Sequence, residues 1–195
     1  MINAIVLAGG ESKRMGRPKA LLRFAGETFL EHIVSVLKDC PVDVIMVVLG
    51  ADAETIKEHV DLSGVDVVIN KRYKDGQLSS LIAGIENVPR ETEGILICLV
   101  DMPFITEKVV SRIVAEFKAT HRPIVQPVFG GKRGHPVLFS KLLFDELRNA
   151  PADQGARYVI HSNEDKVIEV QAPDDGILIS INTLEDYKLH FGANL

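Results

Sequence analysis

Ala4-Ile5-Val6-Leu7-Ala8-Gly9-Gly10-Glu11-Ser12-Lys13-Arg14-Met15-Gly16-Arg17-Pro18-Lys19 stands almost at the start of the chain. An unbroken apolar run that ends on a glycine pair reads as a strand buried on both faces, because a half-exposed strand would alternate apolar with polar. Glycines just past such a strand let successive backbone N–H groups turn toward one point and form an anion nest. Arg14 and Lys19 then add positive charge suited to a triphosphate, the arginine as a fork and the lysine as a point charge. The stretch is not a P-loop, since no Gly-Lys-Ser/Thr closes it, and its glycines lack the spacing of a dinucleotide fingerprint.

Beyond this opening, strand-length apolar runs alternate with helix-period segments. Thr28 and Glu31 have capping-box spacing ahead of a helix whose apolar face is Leu30, Ile33, Val34 and Leu37. Val44 to Leu49 reads as the second strand, Asp52 as a cap for a short helix through Val60, and Val65 to Ile69 as the third strand. A loop from Asn70 to Gly76 leads to a helix around Leu78 to Glu86, and Ile95 to Val100 forms a fourth strand that ends on Asp101. Thr106 caps the next helix. Past Pro123, Ile124 to Val128 and Pro136 to Phe139 flank Gly130 to Gly134 as a hairpin or wide loop. Helices over Lys141 to Arg148 and near Gln154 to Ile160 follow, then short strands at Val167 to Val170 and Ile177 to Ile179, and a last helix from Thr183. This alternation predicts a doubly wound α/β sheet with a mostly parallel centre and at least one antiparallel strand in the second half. In such a sheet ligands lie beyond the carboxyl ends of the strands.

The 195 residues suit one domain with a substantial core, and 46% hydrophobic against 25% charged residues is a globular balance. A net charge of −5 argues against a duplex nucleic acid or an anionic membrane as partner. No apolar run is long enough to span a bilayer, and the start lacks the features of a signal peptide. Cys40 and Cys98 have no partner at metal-ligand spacing, which fits a reducing, cytoplasmic setting.

Asp101 closes an apolar strand, where a carboxylate serves either as a helix cap or as a ligand for a hard cation. Mg²⁺ beside phosphates needs only one or two protein carboxylates, and the glycine loop at the same sheet edge favours the metal role. His135, between a glycine and a proline, is an acceptor contact or a turn residue. Asp153 either caps the helix that holds Arg157, pairs with Arg157 at i, i+4, or borders a ligand. The other five histidines have no ligand spacing, and Lys71-Arg72-Tyr73-Lys74 reads as a solvated loop.

Together, the opening stretch, Gly76-Gln77-Leu78-Ser79-Ser80-Leu81, Asp101-Met102-Pro103, Gly134-His135-Pro136 and Asp153-Gln154-Gly155-Ala156-Arg157 resemble the molybdenum cofactor cytidylyltransferase family. That family is a branch of a nucleotidyltransferase superfamily, and the similarity runs in its order across nearly the whole chain. The resemblance implies a single-domain, Rossmann-like, three-layer α/β/α sandwich. Its nucleotide-binding half would cover about residues 1–105 and its acceptor-binding half about 106–195. It implies that Leu7, Ala8, Gly9, Gly10, Ser12, Arg14, Met15, Gly16 and Lys19 hold base, ribose and triphosphate, with Gly76, Gln77, Ser79 and Ser80 aiding nucleotide recognition. His135, Asp153 and Arg157 would border the acceptor, and Asp101 would hold Mg²⁺.

The family writes Asp-Ile-Asp-Thr before its last helix, with the second aspartate as the other metal ligand. Here Ser180-Ile181-Asn182-Thr183 stands instead. Asn182 offers a neutral carbonyl oxygen, so metal affinity should fall unless the triphosphate compensates. Leu7-Ala8-Gly9-Gly10 is similar to the opening of guanylyl-transferring relatives, whereas the rest of the chain leans toward CTP. The implied reaction moves a nucleoside monophosphate onto a molybdopterin phosphate and releases pyrophosphate, with Arg14, Lys19 and Asp101 as the catalytic set. The implied protein partner is a molybdoenzyme or its insertion chaperone. The alternatives are a nucleotidyltransferase for a sugar or polyol phosphate, and a carrier that binds nucleotide or cofactor without chemistry.

Overall fold

A computed structural model describes residues 1–192. Strand β1 (Ile2–Ala8) leads through the glycine loop and a 3-10 turn (Lys19–Leu21) to a small hairpin, β2 (Arg23–Phe24) and β3 (Glu27–Thr28). Helix α1 (Phe29–Lys38), β4 (Val44–Leu49), α2 (Ala53–His59), β5 (Asp66–Ile69), α3 (Gln77–Asn87), β6 (Gly94–Leu99) and α4 (Glu107–Thr120) follow. The second half holds β7 (Ile124–Phe129), β8 (Lys132–Arg133), β9 (Val137–Ser140), α5 (Phe144–Arg148), α6 (Ala156–Ser162), β10 (Val167–Gln171) and α7 (Leu184–Phe191).

The main sheet runs β10-β7-β9-β6-β1-β4-β5, with β8 paired to β7. Strands β6, β1, β4 and β5 are mutually parallel, and β9 enters antiparallel between β6 and β7. The central strands are apolar throughout because each serves two cores. In β1, Ala4, Val6 and Ala8 face one core while Ile5 and Leu7 face the other. In β6, Leu96 and Cys98 face the first core, Ile95 and Ile97 the second. Helices α1, α2, α4 and α7 cover the first face and α3, α5 and α6 the second, so the domain is a three-layer sandwich. Among the described residues, no helix is long and apolar enough to cross a membrane.

Local signals explain most boundaries. Thr28 and Glu31 form the full capping box of α1, which then buries Phe29, Leu30, Ile33, Val34 and Leu37. The cap contributes roughly 1 kcal/mol and each buried side chain about 1.5–3, so burial dominates the placement of this helix. Thr106 caps α4 and Thr183 caps α7 through their side chains. Gly130 and Gly131 both have positive φ, as a two-residue turn between β7 and β8 requires.

Several expectations are corrected. Asp52 does not cap α2 through its side chain: it sits in the left-handed region with φ 56°, and its carbonyl accepts from Ile56 instead. Asp153 does not cap α6, which begins after Gly155 (φ 56°), where the chain first turns on the Pro151 carbonyl. The segment Lys141 to Arg148 is a 3-10 turn followed by a short α-helix. Ile177 to Ile179 is no strand, because Asp174 Oδ1 accepts from the Gly176 amide and winds Asp175–Leu178 into a 3-10 turn. The Ile177 carbonyl then receives the His135 amide rather than a ladder bond.

Candidate active site

Strands β1 and β6 lie side by side with Leu7 opposite Leu99, so Ala8–Gly10 and Val100–Asp101 emerge together at one sheet edge. Two backbones cross closely there. A Cβ on Gly50 would come within 2.6 Å of the Gly9 carbonyl, and one on Gly9 within 2.8 Å of Ser80 Oγ. The glycine loop closes on itself through Met15 and Gly16 amides donating to the Ser12 carbonyl at 2.9 and 3.1 Å. Ser12 Oγ accepts from the Lys19 amide at 3.1 Å, which ties the loop to the 3-10 turn. Met15 is buried in the core and anchors the loop rather than lining its cavity, and Gly16 supplies a positive φ.

Lys19 sits at the electrostatic centre. Its Nζ donates to Asp101 Oδ2 at 2.9 Å and to Asn182 Oδ1 at 2.7 Å, with the two ion-pair side chains only 15% and 21% exposed. Arg14 reaches the same Asn182 oxygen at 3.5 Å. Asn182 is oriented by its neighbours: its amide nitrogen donates to Ser180 Oγ at 2.7 Å, which leaves Oδ1 facing Lys19. Asp186 accepts from the backbone of Asn182 and Thr183, and the Ile181 amide donates to the Asp101 carbonyl at 2.7 Å. The residues that depart from the expected Asp-Ile-Asp-Thr therefore aim an amide oxygen beside the Asp101 carboxylate.

This group lines a cavity of about 370 Å³ together with Leu7, Ala8, Gly9, Gly10, Ser12, Arg14, Gly76, Gln77 and Ser80. Ser79 faces elsewhere: its hydroxyl directs its one proton toward the Gly76 and Arg72 carbonyls, both within reach, and accepts from Asn70. Tyr73, read from the sequence within a solvated loop, lines this cavity, as do Lys13 and Pro18. Lys13 and Pro18 lie inside the opening motif, whereas nothing in the local sequence marks Tyr73.

A second cavity, of about 660 Å³, adjoins the first, and Leu7, Gln77 and Leu99 line both. His135, Asp153 and Arg157 are brought together on its wall. Asp153 and Arg157 form no ion pair among the described residues. His135 is half-buried, and the loss of solvent around its ring holds its pKa below the ordinary value against the pull of Asp101 and the Ile97 backbone. Gln126 also lines this cavity and escaped the sequence reading. Its signal was a lone amide inside the apolar run Ile124-Val125-Gln126-Pro127-Val128.

Two oxygens, a carboxylate and an amide, thus converge on one cation beside a cavity lined by glycine-loop residues, next to a roomier cavity whose wall is mostly apolar. Comparison with known proteins agrees with a nucleotide-handling arrangement. Residues 4–167 match the MobA-like NTP transferase domain. A protein named nicotine blue oxidoreductase from Paenarthrobacter nicotinovorans is 28% identical over 200 residues, 96% of each chain. A probable molybdenum cofactor guanylyltransferase from Bacillus anthracis is 30% identical across 94% of this chain and 92% of its own. The crystal structure of Rv0371c from Mycobacterium tuberculosis in complex with manganese superposes with a TM-score of 0.82 at 26% identity, over 99% of both chains.

Proposed function

The chain belongs to the MobA-like NTP transferase family, and on that premise we propose that it transfers GMP from GTP to the phosphate of molybdopterin. The observation that carries the proposal is the convergence of Asp101 Oδ2 and Asn182 Oδ1 on a single cation at the rim of the glycine-loop cavity. GTP replaces the CTP expected from the sequence because the Bacillus relative is named a guanylyltransferase and the Leu7-Ala8-Gly9-Gly10 opening is of that kind.

The donor set fits a hard cation. The Lys19 ammonium already stands between two oxygen ligands, and among the described residues no group of three His, Cys, Asp or Glu forms a self-sufficient metal cage. Such a pair suits Mg²⁺ shared with substrate phosphates, and the manganese complex of Rv0371c is in keeping with a divalent ion. Mg²⁺ bound there would neutralise charge on the phosphate oxygens as it builds.

The chain's own residues supply the rest. Amides of the glycine loop with Arg14 and Lys19 hold the triphosphate and stabilise the departing pyrophosphate. An oxygen of the acceptor phosphate attacks the α-phosphorus while the bond from the α-phosphorus to the bridging oxygen of the β-phosphate breaks. A phosphate monoester is largely ionised at neutral pH, so little general base is needed. The demand on the fold is alignment of attacking oxygen, phosphorus and leaving oxygen, which the shared wall of Leu7, Gln77 and Leu99 between the two cavities would serve.

The test is pyrophosphate release in Mg²⁺ buffer with molybdopterin as acceptor, comparing GTP and CTP. Faster release with GTP supports the full proposal, and faster release with CTP restores the other base. No release with either nucleotide from folded protein, but release with a sugar or polyol phosphate, moves the acceptor to that class. Nucleotide binding without any release leaves a carrier.

A further inference from the structure

The larger cavity carries two buried polar atoms without a protein partner among the described residues, Gln126 Oε1 and His135 Nδ1. Gln126 is 7% exposed, and its orientation is forced: its amide nitrogen donates to the Gly134 carbonyl at 3.1 Å, since a carbonyl can only accept, which leaves Oε1 unmatched. Gly134 is the chain neighbour of His135, so this bond fixes the Gln126 amide close to the imidazole. His135 Nδ1 is likewise buried with no protein partner among the described residues, so it too calls for a polar atom of the ligand.

The buried Gln126 oxygen calls for an N–H or O–H donor, and the ring nitrogen for a polar atom matched to its tautomer. Leu78, Leu81, Ile97 and Phe139 supply apolar wall around them. A polyol could meet these two atoms but would leave its remaining hydroxyls against that apolar wall. A flat heterocycle with apolar faces and with N–H groups and ring nitrogens on its rim satisfies both the wall and the two orphaned atoms, and leaves its phosphate to reach the side shared with the nucleotide cavity.

We infer that Gln126 sets acceptor specificity, its Oε1 taking a hydrogen bond from an N–H donor on the rim of a pterin-class heterocycle while His135 Nδ1 pairs with another polar atom of that rim. The inference rests on the reading of this cavity as the acceptor side of the transferase.

Calorimetric titration of the whole chain with a reduced pterin lacking a phosphate tests it without turnover. Gln126→Leu should weaken pterin binding by about tenfold or more, the usual consequence of leaving a buried hydrogen-bonding group unmatched, while GTP binding stays unchanged. Should the leucine variant fail to fold by circular dichroism, Gln126→Met removes the same oxygen with a longer, more adaptable side chain and should show the same loss. Equal affinity in the folded variant and the parent, or no pterin binding by the parent, overturns the inference. Pterin binding that depends on Gln126 without pyrophosphate release would retain the inference and sink the transferase reading. Release with a normal acceptor KM in Gln126→Leu would do the reverse.

Discussion

The two cavities are built by opposite means. The smaller lies at the carboxyl ends of parallel strands and is governed by charge: Lys19, Asp101 and Arg14 around Asn182, with glycine-loop backbone on the wall. The larger lies over the antiparallel insertion, β9 beside β6 and β7, and its wall is mostly apolar, with Gln126 and His135 offering its orphaned polar atoms. A parallel βα junction gathers loop amides and a charged strand end at one point, which suits phosphates. An inserted antiparallel strand brings side chains from distant segments onto one wall, which suits recognition of shape and hydrogen-bond pattern. On the proposed function, one side would handle the reacting charge and the other would identify what receives it.

The largest expected effect lies on the charged side. Asp101→Ala should lower turnover by about a thousandfold or more while the melting temperature moves by only a few degrees. A folded variant with a near-normal rate would remove Asp101 from the site. Lys19→Met should lower turnover by about a hundredfold, yet tighten Mn²⁺ binding in the absence of nucleotide. The ammonium and a dication compete for the same two oxygens, so removing the ammonium frees them. Electron paramagnetic resonance of free Mn²⁺ reads this directly, and an unchanged titration would show that the lysine does not hold the cation position.

On the apolar side, Gly134→Ala drives a Cβ into the Ile177 backbone carbonyl, which cannot swing away as a side chain can. It should cost about 2–3 kcal/mol of stability and weaken pterin binding before GTP binding. Gly10→Ala has open space around it and should leave stability within about 0.5 kcal/mol in a urea titration. The smallest effect is with pH. His135 has a lowered folded pKa, so the unfolded chain takes up its proton first. The stability tied to this residue is fully present above the ordinary histidine pKa and is lost as pH falls toward the folded value. His135→Gln should flatten the urea midpoint between about pH 7 and 5 relative to the parent; an unchanged slope would show that the fold does not disfavour the charged ring.

The same contrast explains what the sequence revealed. The sheet, its parallel centre and the glycine loop were legible because apolar periodicity and a contiguous motif encode them locally. Asp101 was legible because it ends a strand. The bond from Lys19 to Asp101 crosses 82 residues and that to Asn182 crosses 163, so no local pattern announces that the lysine occupies the cation position. Ser79 and Met15 sat inside the right motifs, but loop geometry turns the first to its own backbone and the second into the core. Ile177 to Ile179 has strand composition, and the Asp174 side chain overrides it. Gln126 acquires meaning only when Gly134 pins its nitrogen.

The central claim is that the two cavities work on one reaction, joining a nucleotide from the charged side to an acceptor from the apolar side. Mass spectrometry of a reaction with GTP, Mg²⁺ and molybdopterin, with pyrophosphate counted in parallel, tests this most directly. The account predicts a pterin–guanosine dinucleotide formed one for one with pyrophosphate, and neither product from Asp101→Ala. Triphosphate breakdown that proceeds equally without acceptor, or folded protein that yields no dinucleotide with GTP or CTP, would contradict it.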